Sequence, residues 1–389
     1  MNDPGLVVVT PRGHFSGLLR SDLFEMRKSN FLLLACVISG SAVGQPEGST
    51  TWRQVVHEQE PSFYETKEAV RVADNFLLFQ AEIGGWDKID SKRISRHMLS
   101  ILSKEQREAL RKNPDQQCSL DNEATYTQMR FLARVFAATG EIRFKEGFLR
   151  GCEYLLAAQY ENGGWPQFYP LRGGYSDGVT FNDSAMTGAI WLLDDVATGR
   201  VPFNLAEDRL RRRCRDAVER GRDCILRCQL VVGGKRTAWA QQYDAVTLKP
   251  AWGRVSEVPS IVSAESVHIV RYLMSVDRPS AEIREAIAGA VAWFDEVKVT
   301  GKRLITVKDQ SLPGGTDRKL IKDSSAPPVW GRYYGIGSNR VLYIENGIVH
   351  YELAKLSHKH RVGHGWIGGR WPAALLEREY PAWKKKWGE

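Results

Sequence analysis

Apolar residues along most of this chain return every three or four positions. Ala69, Val72, Phe76, Leu77 and Phe79 form one such stripe. Met129, Leu132, Ala133 and Phe136 form a second, and Met186, Ile190, Leu193 and Val196 a third. Ala217, Ile225, Val267, Val270, Leu273 and the run from Ala286 to Phe294 extend the pattern. That period belongs to helices that bury one face and wet the other. The period-two alternation of half-buried strands is scarce, so the chain reads as mostly helical.

A longer period lies over the short one. NFLLFQAEIGGW runs from Asn75 to Trp86, EYLLAAQYENGGW from Glu153 to Trp165, and DCILRCQLVVGGKRTAW from Asp223 to Trp239. In each, a helix pattern ends at a glutamine (Gln80, Gln159, Gln229) and a glycine pair begins four residues later. Glycine accepts the left-handed backbone that commonly ends a helix. Each period has room for two helices and a loop, which predicts an all-α fold, an α/α toroid. The toroid would be an incomplete α/α barrel of helical hairpins with long loops at one end, where site residues are expected. The alternative is an irregular helical bundle. In YENGGWPQFYP (160–170), Trp165 is expected to plug the loop, and Gln167 and Tyr169 to face a cleft.

The first 45 residues stand apart. After Arg27 and Lys28, an apolar run from Phe31 to Ile38 gives way to small residues 39–44, the layout of a secretory leader. This predicts a true start at Met26 and cleavage after Gly44, with a single domain over 46–389. The apolar run is too short for a membrane span, which needs roughly 20 residues. Cys36 offers an alternative, lipoprotein processing, and the protein is expected to be secreted or periplasmic. The remaining cysteines, 118, 152, 214, 224 and 228, form no ladder and no zinc pattern.

The 389 residues carry 54 Lys+Arg against 46 Asp+Glu, a net charge of +8. Such a surface attracts acidic partners, although a basic protein without one is an equal alternative. Two clusters place acids and amides at helix starts: Asp121-Asn122-Glu123 and Asn182-Asp183-Ser184. Both are natural caps. Together Asp121 and Asp183 would also supply oxygens to a hard cation such as calcium, with the remaining ligands coming from elsewhere. Arg254 in WGRVSEVPS and Arg332 in WGRYY sit in aromatic, glycine-containing loops, and a guanidinium fork suits a carboxylate. His358, His360 and His364 read as a solvated basic segment rather than a metal site. No phosphate-binding glycine loop and no nucleophile elbow is present.

SLDNEATYTQMRFLARVFAATG, LLAAQYENGGWPQFYPLRGGYSDGVTFNDSAM, TAWAQQYD, GRVSEVPS and WGRYY follow one another in an order that resembles the family 10 pectate lyases, over about Thr51 to Pro372. The resemblance implies an α/α toroid that cleaves polygalacturonate by calcium-assisted anti-β-elimination. It implies that Asp121 and Asp183 hold Ca2+, that Asn122 and Arg332 bind substrate, and that Arg254 takes the C5 proton. An acidic polysaccharide is then the partner, with nucleic acid excluded and a monomer expected. The chain departs from the family pattern at Ile83, Asp87 and Ala240, and at Ile344-Glu345-Asn346-Gly347, where a second substrate arginine is usual. A binding relative without catalysis and a toroid hydrolase with Asp121 and Asp183 as its carboxyl pair are the alternatives.

Overall fold

The computed structural model describes residues 55–56, 59–88, 98–111 and 117–387. The expected leader, Met26 and Cys36 lie outside the described residues.

Helices dominate, as their periodicity predicts. They are α1 (Lys67–Phe79), α2 (Lys104–Arg111), α3 (Tyr126–Thr139), α4 (Ile142–Ala158) and α5 (Ala185–Thr198). Then come α6 (Asp208–Cys228), α7 (Ser263–Met274), α8 (Ala281–Glu296), α9 (His358–Gly363) and α10 (Tyr380–Trp387). Thr66 and Ser280 cap α1 and α8 through their hydroxyls, and left-handed Gly140 and Gly199 end α3 and α5. α3 pairs with α4, α5 with α6 and α7 with α8. The apolar helices α3, α5 and α7 touch in succession as an inner layer, while α1, α4, α6 and α8 touch in succession outside them. The outer α6 is rich in arginine, and its buried face is reduced to Cys214, Ala217, Val218, Gly221, Cys224, Ile225 and Cys228. An incomplete α/α toroid results, as the long repeat predicts.

The repeat has a physical basis. Each outer helix is closed by a tryptophan whose indole N–H donates to a carbonyl in its last turn: Trp86 to Phe76 (2.8 Å), Trp165 to Leu155 (2.8 Å) and Trp239 to Ile225 (2.7 Å). Trp330 does the same to Phe294 (2.8 Å), so there is a fourth copy that sequence comparison misses. A long insertion separates that copy's helix from its tryptophan, and Val297 stands where the others have glutamine. All four rings are buried. The three glutamines act as clamps. Gln80 Nε2 donates to Gly84 and to Gly147 of the next outer helix, both at 2.8 Å. Gln159 spans Gly163 (3.0 Å) and Ala217 (2.8 Å), and Gln229 spans Thr237 and Ala286, both at 2.8 Å.

The third glycine pair is not equivalent to the first two. Gly84 and Gly163, with φ of 97° and 90°, press against the backbone of Arg150 and Arg220 in the next outer helix. Gly233-Gly234 instead forms the two-residue turn of a hairpin, β2 (Val231–Val232) with β3 (Lys235–Arg236), and has open space around it. The hydrogen bonds show that Thr237-Ala238-Trp239 continues the pattern of Gly84-Gly85-Trp86.

Strands are more numerous than alternation suggests, though most have two or three residues. Short pairs join β1 (Val179–Thr180) to β4 (Gln242–Tyr243) and β8 (Trp330–Gly331) to β12 (Ile367–Gly369). An antiparallel sheet runs β11 (Ile348–His350), β10 (Val341–Glu345), β9 (Tyr333–Tyr334), β5 (Ile261–Val262). A long hairpin, β6 (Lys302–Lys308) with β7 (Thr316–Lys322), was masked by its lysines and arginines. A second apolar cluster around Val262, Tyr333, Ile344 and Trp366 seats this β-rich region.

Gly163→Ala should cost about 2–3 kcal/mol, because a Cβ there meets the Arg220 carbonyl in a left-handed conformation. Gly233→Ala should cost about 1 kcal/mol, the backbone term alone. Urea denaturation of the two variants measures the difference, and equal losses would contradict this assignment of the glycine pairs.

Candidate active site

The clamps decide where the chain turns inward. After each of the first three plugging tryptophans the backbone returns to it: Ser119 N donates to Trp86 O (2.8 Å), Thr180 N to Trp165 O (3.1 Å) and Val262 N to Trp239 O (2.9 Å). Counting from these anchors, Asn122, Asp183 and Glu265 occupy equivalent places at the starts of α3, α5 and α7. Asp121 and Asn182 are equivalent one residue earlier. Two matching turns carry them, Asp121–Glu123 and Asn182–Ser184, and the hydroxyls of Ser119 and Thr180 accept from Asp121 N (3.0 Å) and Asn182 N (3.3 Å). Asn122 (φ 52°) and Asp183 (φ 47°) both adopt left-handed backbone, a cost that Asn and Asp bear better than most residues. Helix N-termini attract negative charge, so this end of the toroid suits acids and acidic ligands.

Asp121 is fully buried. Lys88 pairs with its Oδ2, and its Oδ1 accepts no hydrogen bond. Burial and the neighbouring anions Asp121 and Glu265 push the Asp183 carboxyl up to about 6. Arg332 opposes that shift from 4.0 Å away and donates Nη2 to Glu265 Oε1 at 2.5 Å. Glu265 is the first cause holding the Arg332 guanidinium well above its ordinary value. The buried Nε of Arg332 has no partner, and neither has Glu265 Oε2. Arg332 itself is held between β8 and β9, its N–H donating to Trp366 O (2.8 Å) and its carbonyl accepting from Ser263 N (3.0 Å).

Arg254 lies in the Trp252–Glu257 loop with its side chain 55% exposed. Its Nε and Nη2 donate to Glu257 Oε1 at 2.9 and 2.5 Å. Those hydrogen bonds hold the guanidinium above its ordinary pKa, so in the free protein Arg254 is firmly protonated. Asn346 and Gly347, with φ of 52° and 81°, form the two-residue turn of the β10–β11 hairpin. Gly347 lies against Trp252 and Val255. The departure from the family pattern is therefore a tight Asn-Gly turn that braces the Arg254 loop.

Gln167 and Tyr169 fall in the loop that the sequence singled out. The Gln167 side chain is buried, and the residue's main-chain carbonyl accepts from Leu120 N (3.0 Å) and Ser119 Oγ (2.9 Å), seating the Asp121 turn. Tyr169 is half-buried against Tyr154. Asn122 is exposed beside the buried Asp121. The three histidines do not act together. His358 bonds Thr316 O, His360 bonds Glu345, and His364 stacks on Tyr333 at this site. Burial and the cations Arg332 and Arg254 hold His364 down at about 4, so it is neutral at pH 7.

Sequence reasoning missed Glu265, Glu257, Lys88 and His364 as site residues. Glu265 sits at the start of the third inner helix, in the place of Asn122 in the first and Asp183 in the second, but no shared motif marks it in the sequence. Beneath these turns a cavity of about 870 Å³ runs between the inner helices, lined by Tyr126, Thr187, Trp191 and the Arg130–Asp195–Arg200 group.

Among the described residues no three His, Cys, Asp or Glu side chains gather as a complete metal site. Asp121 and Asp183 nevertheless fit a hard divalent cation. Their charges repel, one oxygen of a fully buried carboxylate accepts no hydrogen bond, and a ligand would supply further oxygens. Lys88 holds part of that place in the free chain.

The Asp183 shift fixes a sign. Its folded pKa lies above the roughly 3.9 of an unfolded aspartate. Ionising it therefore costs stability, a cost absent below pH 4 and complete above about pH 6. In chelator at pH 8, Asp183→Asn should be more stable than the parent by about 1 kcal/mol, the carboxylate being partly screened by solvent. The gain should vanish near pH 4. Urea denaturation at the two pH values checks it, and a variant less stable at pH 8 would be inconsistent with the repulsion described.

The family model described as pectic acid lyase matches residues 80–376. Among solved structures, the chain is similar to the family 10 polysaccharide lyase from Cellvibrio cellulosa, at 29% identity and a TM-score of 0.69, over 84% of this chain and 95% of that one. It is equally similar to a point mutant of that lyase in complex with trigalaturonic acid, at 29% identity and a TM-score of 0.69, over 85% of this chain and 96% of that one. No curated protein matches the chain. The family match spans well over half of the 389 residues and agrees with the toroid and its acid-bearing turns, so the chain belongs to the pectic acid lyase family and is a pectate lyase of polysaccharide lyase family 10.

Proposed function

We propose that the protein is a secreted, calcium-dependent pectate lyase that cleaves α-1,4-linked polygalacturonate by anti-β-elimination, leaving 4,5-unsaturated ends. The observation that carries this reading is the pairing of unspent charge. Arg332, with a buried N–H that has no partner, stands beside two mutually repelling aspartates at three converging helix starts. Such a site is completed by a carboxylate together with a cation, and the similar lyase bound to trigalaturonic acid supports a uronate. Secretion rests on the leader-like segment from Met26 to Gly44.

Each group then has a task. Asp121 and Asp183 would hold Ca2+, whose positive charge offsets that of the uronate carboxylate and of the carbanion formed beside it. Arg332 donates to the same carboxylate and keeps it in place while charge builds. Asn122, exposed beside Asp121, would bond a sugar hydroxyl, and Tyr169 would line the approach. Gln167 acts through its main-chain carbonyl, by seating the Asp121 turn. Arg254 removes the C5 proton, the electron pair forms the C4–C5 double bond, and the C4–O bond breaks. The departing oxygen takes a proton from solvent.

A guanidinium serves as a base only once deprotonated, and Glu257 works against that. Glu257 is thus the brake on Arg254, and approach of further positive charge would have to loosen it.

With polygalacturonate and calcium, the ultraviolet absorbance of the unsaturated product should rise, and chelator should stop it. Reducing ends formed without that chromophore would indicate hydrolysis and overturn the reading. Arg254→Ala should abolish turnover with little loss of folding, read as a small shift of the urea midpoint. Glu257→Gln should move the alkaline rise of kcat/KM to lower pH, because it removes the main influence that raises the Arg254 pKa. A pH profile that does not move would reject Arg254 as the base.

A further inference from the structure

The long hairpin and the β10–β11 region enclose a second cavity, of about 540 Å³, whose lining includes none of the residues that form the candidate site. We infer that this groove is a remote docking site for an acidic polysaccharide, holding a stretch of the same polyuronate chain outside the cleavage site. The inference rests on the pectate lyase reading for the identity of the polymer, while the groove's chemistry stands independently of it.

Charge comes first. Lys302, Arg318, Lys319 and Arg361 line the groove, against Asp317 and Glu352. Arg361 already engages Asp317, Nε to Oδ1 at 2.8 Å and Nη2 to Oδ2 at 3.1 Å. That leaves Lys302, Arg318 and Lys319 in the lining against Glu352, the first two on one face of the hairpin and Lys319 on the other. Lys302, Lys319 and the neighbouring Lys322 form no ion pair among the described residues, and all three are exposed.

The register of the hairpin points the same way. Lys302 pairs directly with Lys322 across the β6–β7 ladder. Like charges opposite one another destabilise an antiparallel pair, so fold stability alone disfavours this placement. An anionic ligand lying across the ladder relieves it.

The surface also offers a sugar-binding face. Tyr351 is 39% exposed at the groove and carries the Arg340 guanidinium 3.5 Å above its ring. An aromatic ring under a cation is suited to a sugar that is apolar on one face and carries a carboxylate at its edge. The groove shares a sheet with the cleavage site. Tyr343 in its wall lies on β10, β10 pairs with β9, and β9 begins at the residue after Arg332.

The test uses the full chain carrying Lys302→Gln, Lys319→Gln and Lys322→Gln together, residues remote from the proposed catalytic groups. Retention on immobilised polygalacturonate should fall about tenfold at low salt, and KM for long polygalacturonate should rise by a similar factor. Turnover of trigalacturonate, too short to reach both sites, should be unchanged. Unchanged retention of the polymer would overturn the proposal, as would an equal loss of trigalacturonate turnover. An equal fall in binding to duplex DNA would make the groove a general polyanion surface, and would also overturn it. If the parent protein proved to have no lyase activity, the retention assay alone would still decide the groove, so failure of the functional reading and failure of this one are told apart.

Discussion

Everything at the cleavage end depends on how each outer helix is stopped. A buried indole N–H takes a last-turn carbonyl that would otherwise have no partner, and in three copies a glutamine clamps the same joint to the next outer helix. A buried carbonyl left unpaired costs about 1–3 kcal/mol, so these bonds constrain the chain strongly. They also set a register. In the first three copies the backbone leaves the tryptophan, makes its loop and returns to the same tryptophan's carbonyl before entering the inner helix. Loops of very different length therefore deliver the next residues to equivalent positions.

That register explains why acids from three distant parts of the sequence converge. Asp121, Asp183 and Glu265 are brought to helix starts that face one another, and burial together with the neighbouring anions lifts the Asp183 carboxyl to about 6. Lys88 and Arg332 contain the repulsion without exhausting it. A site in this condition is preorganised: its dipoles and charges are in place before a ligand arrives, and the folding energy has already met their cost. Arg254 stands outside this knot, braced from one side by Glu257 and from the other by the Asn346-Gly347 turn.

Much of this was legible in the sequence, for definite reasons. Helical stripes, the Gln-to-Gly spacing and the tryptophans report local geometry, so the toroid could be read from them. Asp121 and Asp183 were legible because a helix start has a short-range signature. Glu265 was not, because its equivalence to Asp183 is carried by a backbone bond from Val262 to Trp239 and by no shared motif. The Gly233-Gly234 pair misled, since two glycines suit a helix-end loop and a hairpin turn equally well. The fourth repeat was hidden by the β6–β7 insertion, and that hairpin by the lysines that make its groove basic. Asn346, in the segment where the resemblance implies a second substrate arginine, forms a hairpin turn, which the sequence motif did not reveal.

The central claim is that Asp121, Asp183 and Arg332 form one site, completed jointly by a cation and a uronate. Calorimetric titration of calcium into the protein, with and without saturating trigalacturonate, tests it most directly. The account predicts weak binding by the protein alone, binding at least about tenfold tighter with the uronate present, and loss of that coupling in Arg332→Ala. Calcium binding of equal strength with and without trigalacturonate would contradict it.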